Sequence, residues 1–450
     1  MDKRTFLKTS SVIAGGALFS GGVSCGPEKE KEHLTNWAGN LTYSTGNVHY
    51  PNTIEEVQDT IKKCKKLTAL GSRHSFNTIA DNTENQLSLS HFNKVVSLDA
   101  SSGTVTVESG MKYGELAPYL HEKGFALHNL ASLPHISIAG AVATATHGSG
   151  IRNGNLSTAV SGIEFINAAG ELVRLSKKND GDKFNGAVVA LGALGVVTKV
   201  TLDLQRTFNM KQVVYRNLAM SELEKNFNEI MGRGYSVSLF TDWKNKNVNE
   251  VWIKSKIENG NDVASAELFG AKLAQQNLHP IETESAENCT DQMGLPGPWY
   301  ERMPHFKMGF KPSAGKELQS EYFVPIEHAY EAMMVFERLT EKITPHLFIS
   351  EIRAIAADDF WMSPCYKKTC VALHTTWKQE VDAVMKLLPV LEEQLAAFDA
   401  RPHWAKLFSI SPTVLRSRYE KLNDFKQLVS QYDPNNKFRN EFLTTNILGG

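Results

Sequence analysis

The chain has 450 residues, 42% of them hydrophobic and 22% charged, with a formal net charge of -1. That length exceeds what one hydrophobic core organises and points to two or three domains. The near-neutral balance gives no electrostatic basis for a nucleic-acid partner or an anionic membrane surface. Five cysteines (Cys25, Cys64, Cys289, Cys365 and Cys370) form no CxxC pair, and no HExxH or EF-hand pattern occurs, so neither a disulfide framework nor a metal site is indicated.

In chain order, Lys3-Arg4-Thr5-Phe6-Leu7-Lys8 precedes a modest apolar run over residues 12–19. The run is too short for a transmembrane helix and reads as a removable export signal. It is similar to a twin-arginine signal in which Lys3 replaces the first arginine, and it implies a periplasmic protein. Cys25 follows Gly22-Val23-Ser24, a partial lipoprotein box with Gly22 where leucine is usual, so a lipid anchor at Cys25 is a second reading. Residues 28–33 form a polar linker.

Thr53-Ile54-Glu55-Glu56 is a capping box, and Ile54, Val57, Ile61 and Cys64 make one apolar stripe on the helix it opens. Residues 67–70 read as a strand that delivers the chain to Gly71-Ser72-Arg73-His74-Ser75-Phe76-Asn77. Backbone N–H groups in such a turn lack ladder partners and can converge on a phosphate. His74 adds a nucleophilic ring nitrogen with a near-neutral pKa. Strands are expected at 87–89, 95–98 and 104–107, and a helix at 113–122 closed by Gly124. Residues 131–150 are almost all small, which suits either tight helix packing or close backbone approach to a flat or bulky group. A hairpin over 163–175 turns at Ala168-Ala169-Gly170, a helix follows at 184–191, and Gly192 to Thr198 lead into a strand ending near Leu204. A first domain therefore closes near residue 207. Gly148-Ser149-Gly150 with Gly154 has the wrong spacing for a Rossmann fingerprint and no strand before it, leaving only a dinucleotide site of another design.

Beyond residue 208 longer helices, at 325–343 and 379–400, mix with strands. A strand over 347–354 puts Glu351 and Arg353 on one face, and one over 371–377 does the same with His374 and Thr376. Polar residues sharing a sheet face need polar partners. An internal salt bridge meets that need, as does a hydroxyl-rich ligand. Arg401-Pro402-His403-Trp404-Ala405-Lys406 ends this region, and the tail is expected to return to the first domain.

Six stretches in this order (71–77, 131–150, 192–198, 350–353, 374–377 and 401–406) resemble the alditol (xylitol) oxidases of the vanillyl-alcohol-oxidase flavoprotein superfamily, over nearly all of residues 34–448. The resemblance implies an α+β fold: a two-part FAD-binding domain of the vanillyl-alcohol-oxidase (PCMH) type, with an α+β substrate cap. Residues 1–33 would be signal and linker, 34–207 the FAD domain, 208–406 the cap, and 407–450 a segment returning to the FAD domain. It implies FAD bound covalently through the flavin 8α-methyl group to His74. Flavin contacts fall on Ala69, Leu70, Gly71, Ser72, Arg73, Ser75, Ser132, Ser137, Gly140, Thr144, Ala145, Thr146, His147, Val196 and His403. Arg73 stands where the family often has glycine, and would either alter the turn or pair with the pyrophosphate. Substrate contacts fall on Ser132, Gln319, Glu351, Arg353 and Thr376.

The implied reaction is hydride transfer from C1 of an alditol such as xylitol or sorbitol to flavin N5, with His374 or Lys406 as the base. Lys406, or else Arg353, would supply the cation that stabilises the reduced flavin. Electrons then pass to O2, giving an aldose and hydrogen peroxide. The nearest alternative is an aldonolactone oxidase (D-arabinono-1,4-lactone or L-gulonolactone type), which shares the fold and an HWAK-like motif; a polyol dehydrogenase with another acceptor is a third. The expected partners are a small polyol and O2, the expected state a monomer. Export of a folded flavoprotein suits a twin-arginine route.

Overall fold

A computed structural model describes residues 33–257, 264–309 and 316–449; the export signal and Cys25 lie outside the described residues. Thr53 caps helix Ile54–Lys63 by accepting the Glu56 N–H, whereas the Glu56 carboxylate takes the N–H of Asn52, one residue further out than a capping box requires. The helix links strand Val48–His49 to strand Thr68–Leu70, and Gln86–Ser88 lies between them, parallel to both. A second, antiparallel sheet runs Val95–Asp99, Thr104–Glu108, Val196–Asp203, Val160–Ile166, Leu172–Ser176.

The chain changes sheet after Asp203. From Asn209 onward a ten-stranded sheet forms, containing the long strands Asn209–Ala219, Asn247–Lys256, Ser236–Thr241, Leu347–Ile355, Cys370–Lys378 and Glu317–Pro325 in spatial order, with Arg401–Pro402 at one edge. Period-2 alternation gives its central strands two different faces. One carries Leu318, Tyr322, Ile352 and Leu373, all buried, and Tyr322 donates a 2.7 Å hydrogen bond to Glu392 on helix Val381–Leu395. The other carries polar side chains.

Helices depart from expectation where local backbone interrupts them. The 325–343 segment is a 3-10 turn, Ile326–His328, then helices Ala329–Arg338 and Thr340–Ile343, separated at Leu339 (φ -94, ψ 10). The 379–400 segment is helical over Val381–Leu395 and stops before Asp399, which is left-handed at φ 51. The helix expected at 184–191 ends at Val188, and helical backbone also precedes it. Lys177–Val188 is two helical pieces joined by a kink at Gly181 (φ 48, ψ -122), the first capped by Ser176, which accepts the Asn179 N–H, while Leu191 (φ 55) and Gly192 (φ 79) turn the chain away.

Three sets of bonds stitch distant segments together. Gly150 N–H donates to the Ala354 carbonyl at 2.9 Å and Ala356 N–H to the Asn153 carbonyl at 2.9 Å, so the small-residue loop extends along the Arg353 strand. Phe76 N–H donates to the Ala405 carbonyl at 2.7 Å, and the Asn77 amide to the carbonyls of Trp404 and Lys406 at 2.9 and 2.7 Å. Near the end of the chain, Leu67 N–H donates to the Lys437 carbonyl at 3.0 Å, and the Asn440 amide reaches the Ile79 and Asp81 carbonyls at 2.9 Å each.

Candidate active site

The register of the large sheet builds the site. His374 pairs with Glu321 on one side and Glu351 on the other, and Glu351 pairs in turn with Phe240. Directly paired residues point to the same face, about 5 Å apart, so these four side chains form one row. Two residues along, Arg353 shares that face and reaches back into the row.

Glu321 is the hub. Its carboxylate is fully buried and accepts from Arg353 Nη2 at 2.7 Å and Lys406 Nζ at 2.7 Å, with His147 Nε2 at 3.3 Å. Burial alone would raise its pKa, yet Lys406, His147 and Arg353 hold it well below the ordinary carboxylate range. Glu351 is governed the same way: burial raises its pKa, and Arg353 and His305 bring it far down. His305 Nε2 lies 2.7 Å from Glu351 Oε1, and Arg353 Nε 3.5 Å from the same oxygen. Lys406 also donates to His374 Nδ1 at 2.9 Å, and His374 Nε2 lies 3.0 Å from Thr376 Oγ1. Burial, then the Lys406 charge, push the His374 pKa well below its ordinary value, so the ring is neutral near pH 7. Two acids thus face two cations, and both Glu321 oxygens already accept from Arg353 or Lys406, beside His147 and His403 whose ring nitrogens lie within 4.8 Å of that carboxylate.

This row forms one wall of a cavity of about 750 Å3. The His74 turn and the small-residue stretch line the same cavity and are held together by a reciprocal pair: Ser72 N–H donates to Ser137 Oγ at 3.2 Å, and Ser137 N–H donates to Ser72 Oγ at 3.0 Å. His74 stacks on Trp37, with ring centroids 5.3 Å apart, and its Nδ1 is 3.1 Å from Ser72 Oγ. Its Nε2 is buried with no hydrogen-bond partner among the described residues, and burial lowers the His74 pKa to about 4, which keeps the ring neutral. Every site residue named from the sequence lines this cavity except Ala145. Ala145 takes a left-handed φ of 53 and turns its methyl into the apolar core, so it shapes the loop from behind. Arg73 is left-handed too (φ 63), which explains why glycine suits the position, and Arg73 Nη1 donates to the Thr35 carbonyl at 2.9 Å.

Sequence reasoning missed Glu321 and His305. Period-2 alternation from Gln319 points to Glu321, which shares its face. His305 sits between helix Trp299–Arg302 and the 316–325 region, on irregular backbone with no periodic signal to find it.

With this geometry in view, a family model described as an FAD binding domain matches residues 46–176, and one described as D-arabinono-1,4-lactone oxidase matches residues 312–446. An alditol oxidase of Streptomyces sp. is 44% identical over 413 residues, covering 91% of this chain and 98% of its own. An L-gulono-1,4-lactone dehydrogenase of Mycobacterium tuberculosis is 27% identical, covering 92% of this chain and 99% of its own. Among solved structures, cholesterol oxidase from B. sterolicum shares the fold with a TM-score of 0.75 at 14% identity, over 92% of this chain and 96% of that one.

The position of Arg73 yields a direct test. Arg73→Gly relieves a left-handed side chain worth about 1 kcal/mol, so thermal unfolding should show equal or higher stability, with FAD content unchanged. Loss of bound FAD would instead give the guanidinium a role on the pyrophosphate.

Proposed function

The chain belongs to the alditol oxidase family of FAD-dependent oxidases, and from that premise we propose how its own residues carry the reaction. The overall change is alditol plus O2 to aldose plus hydrogen peroxide. One observation carries the reading: the Glu351, His374 and Glu321 row and the His74 turn line one cavity. The lactone-oxidising relatives share less of the sequence.

Three features fit FAD. The unpartnered, buried Nε2 of His74 marks a ring short of one bond partner. Gly71 and Gly140 keep the wall beside Ser137 Oγ free of side chains, since a Cβ on Gly71 would stand 2.9 Å from that oxygen. Ser72, Ser75, Thr144 and Thr146 line the same wall with hydroxyls that can bond a pyrophosphate or a flavin edge. We assign His74 as the covalent attachment point, because its neutral ring can act as the nucleophile. When bound, FAD would supply the hydride-accepting chemistry and the route for the electron pair to dioxygen.

The residues divide the remaining tasks. Glu351 accepts from substrate hydroxyls, and Arg353 and Ser132 fix the neighbouring hydroxyl, with Thr376 and Gln319 beside them. Lys406 spends one N–H on Glu321 and one on His374, so a third can bond the reacting oxygen. His374 is the base at Nδ1, whose lone pair accepts from Lys406: Lys406 passes that proton to His374 and takes the hydroxyl proton in its place, so the ammonium is restored and the imidazole gains one proton. The ion pair with Glu321 offsets the burial that lowers the Lys406 pKa and favours that charged state.

Purified protein should release peroxide with xylitol or sorbitol and far less with a sugar-acid lactone, and its yellow colour should stay with the acid-precipitated chain. His74→Ala should leave that precipitate colourless. A coloured precipitate from His74→Ala would place the linkage elsewhere, and lactone preferred over polyol would move the chain to the lactone oxidases. The low His374 pKa sets the pH profile. The active form is the unprotonated ring, so kcat/KM should hold as pH falls from about 8 to about 6 and fail only well below the ordinary histidine value of 6.5. An acid limb at or above pH 6.5 would exclude His374 as the base.

A further inference from the structure

We propose that His305 is a positioning residue for polyol recognition: it locks Glu351 so that one carboxylate oxygen alone is presented to the substrate. The proposal rests on the alditol reading above and assigns a residue that reading leaves without a task.

His305 is 5% exposed and packs edge-on against two aromatic rings, Phe240 at 5.4 Å and Trp252 at 5.2 Å between centroids, which also meet each other at 5.3 Å. Its Nε2 lies 2.7 Å from Glu351 Oε1. Burial, then the nearby Lys254 charge, take its pKa to about 4, so the ring carries a single proton near neutrality. That proton sits on Nε2, because a bare lone pair at 2.7 Å from an ionised carboxylate would be repelled. Arg353 Nε faces the same Oε1 at 3.5 Å. Oε1 therefore takes the His305 hydrogen bond and lies in ion-pair range of Arg353 Nε, which makes no hydrogen bond of its own among the described residues. No hydrogen bond from the described residues reaches Glu351 Oε2, on a side chain that lines the cavity. An anionic acceptor with one free oxygen in a fixed place reads the position of a hydroxyl; a freely turning carboxylate does not.

The backbone supports the same assignment. His305 N–H donates to the Ser132 carbonyl at 3.1 Å, and Ser132 Oγ accepts from Arg353 Nη1 at 3.4 Å. His305, Ser132, Arg353 and Glu351 thus close a ring that joins the substrate strand to the cofactor-side loop. The chain from the end of helix Trp299–Arg302 to His305 is pinned as well. Lys254, 1% exposed, donates to the carbonyls of Arg302, Met303 and Pro304 at 2.9, 2.8 and 2.8 Å, using all three of its N–H bonds. A buried lysine spent on three successive carbonyls fixes the loop that aims the imidazole.

Two variants of the flavin-loaded enzyme test this with xylitol. His305→Phe keeps a ring packed against Phe240 and Trp252 but donates nothing, and His305→Gln keeps a donor. The first should raise KM for xylitol about tenfold with kcat within about threefold; the second should stay near wild type. In a Glu351→Gln background, His305→Phe should add no further loss, since its effect runs through that carboxylate. Unchanged KM in His305→Phe, equal loss in both variants, or a full extra loss in the double variant would overturn the proposal. Should His305→Phe fail to retain flavin, a His305→Gln enzyme with a tenfold higher KM decides against a donor role, and one with wild-type KM supports it. Wild-type protein that leaves xylitol untouched would sink the alditol reading itself, and this inference with it.

Discussion

A carboxylate with no access to water must be matched by charge or it will not stay ionised. Glu321 meets that condition with three partners from three parts of the chain: Arg353 from the Leu347–Ile355 strand, Lys406 from the segment after Arg401–Pro402, and His147 from the small-residue loop. No two of these are local to one another in sequence. Their convergence on one buried oxygen pair therefore fixes the relative placement of the substrate strand, the terminal segment and the cofactor loop. Glu351 repeats the device with Arg353 and His305. Because two acids and two cations cancel, a charged ligand would unbalance the site, whereas a neutral polyol asks only for hydrogen bonds.

The strands act as a ruler. Direct pairing of Glu321, His374 and Glu351 across three strands sets their spacing by backbone hydrogen bonds, so the acceptors and the base stand on the rigid part of the molecule. The cofactor side is built differently. There the wall is a turn and a loop of small residues, stiffened by the Ser72–Ser137 pair and by bonds from Phe76 and Asn77 to the 404–406 segment. Those last bonds bring His74 and Lys406, 332 positions apart in the chain, into one assembly.

Much of the site was legible in the sequence because its chemistry sits in short, unusual stretches. His74 in a Gly/Ser turn, the run of small residues, and the alternation that faces Glu351 with Arg353 and His374 with Thr376 are local patterns, and local patterns survive without a structure. Glu321 carries a weaker local signal than Gln319 two residues earlier, because it stands directly before the apolar run Tyr322-Phe323-Val324 and Pro325. His305 lies on irregular backbone, where only a tertiary partner reveals its task. Helix ends failed for a related reason, since Leu339 and Asp399 break their helices through backbone angles that residue type does not announce. Ala145 was carried over as a contact within a contiguous run, but a left-handed backbone turned its side chain inward.

The dependence of the whole arrangement on one buried negative charge is open to a single measurement: anaerobic bleaching of the flavin band by xylitol, in wild type and in Glu321→Gln. With the charge gone, Arg353 and Lys406 lose their shared anchor, and the bleaching rate constant should fall by about a hundredfold or more, while FAD stays bound through the His74 turn. Bleaching at the wild-type rate in Glu321→Gln would contradict the account.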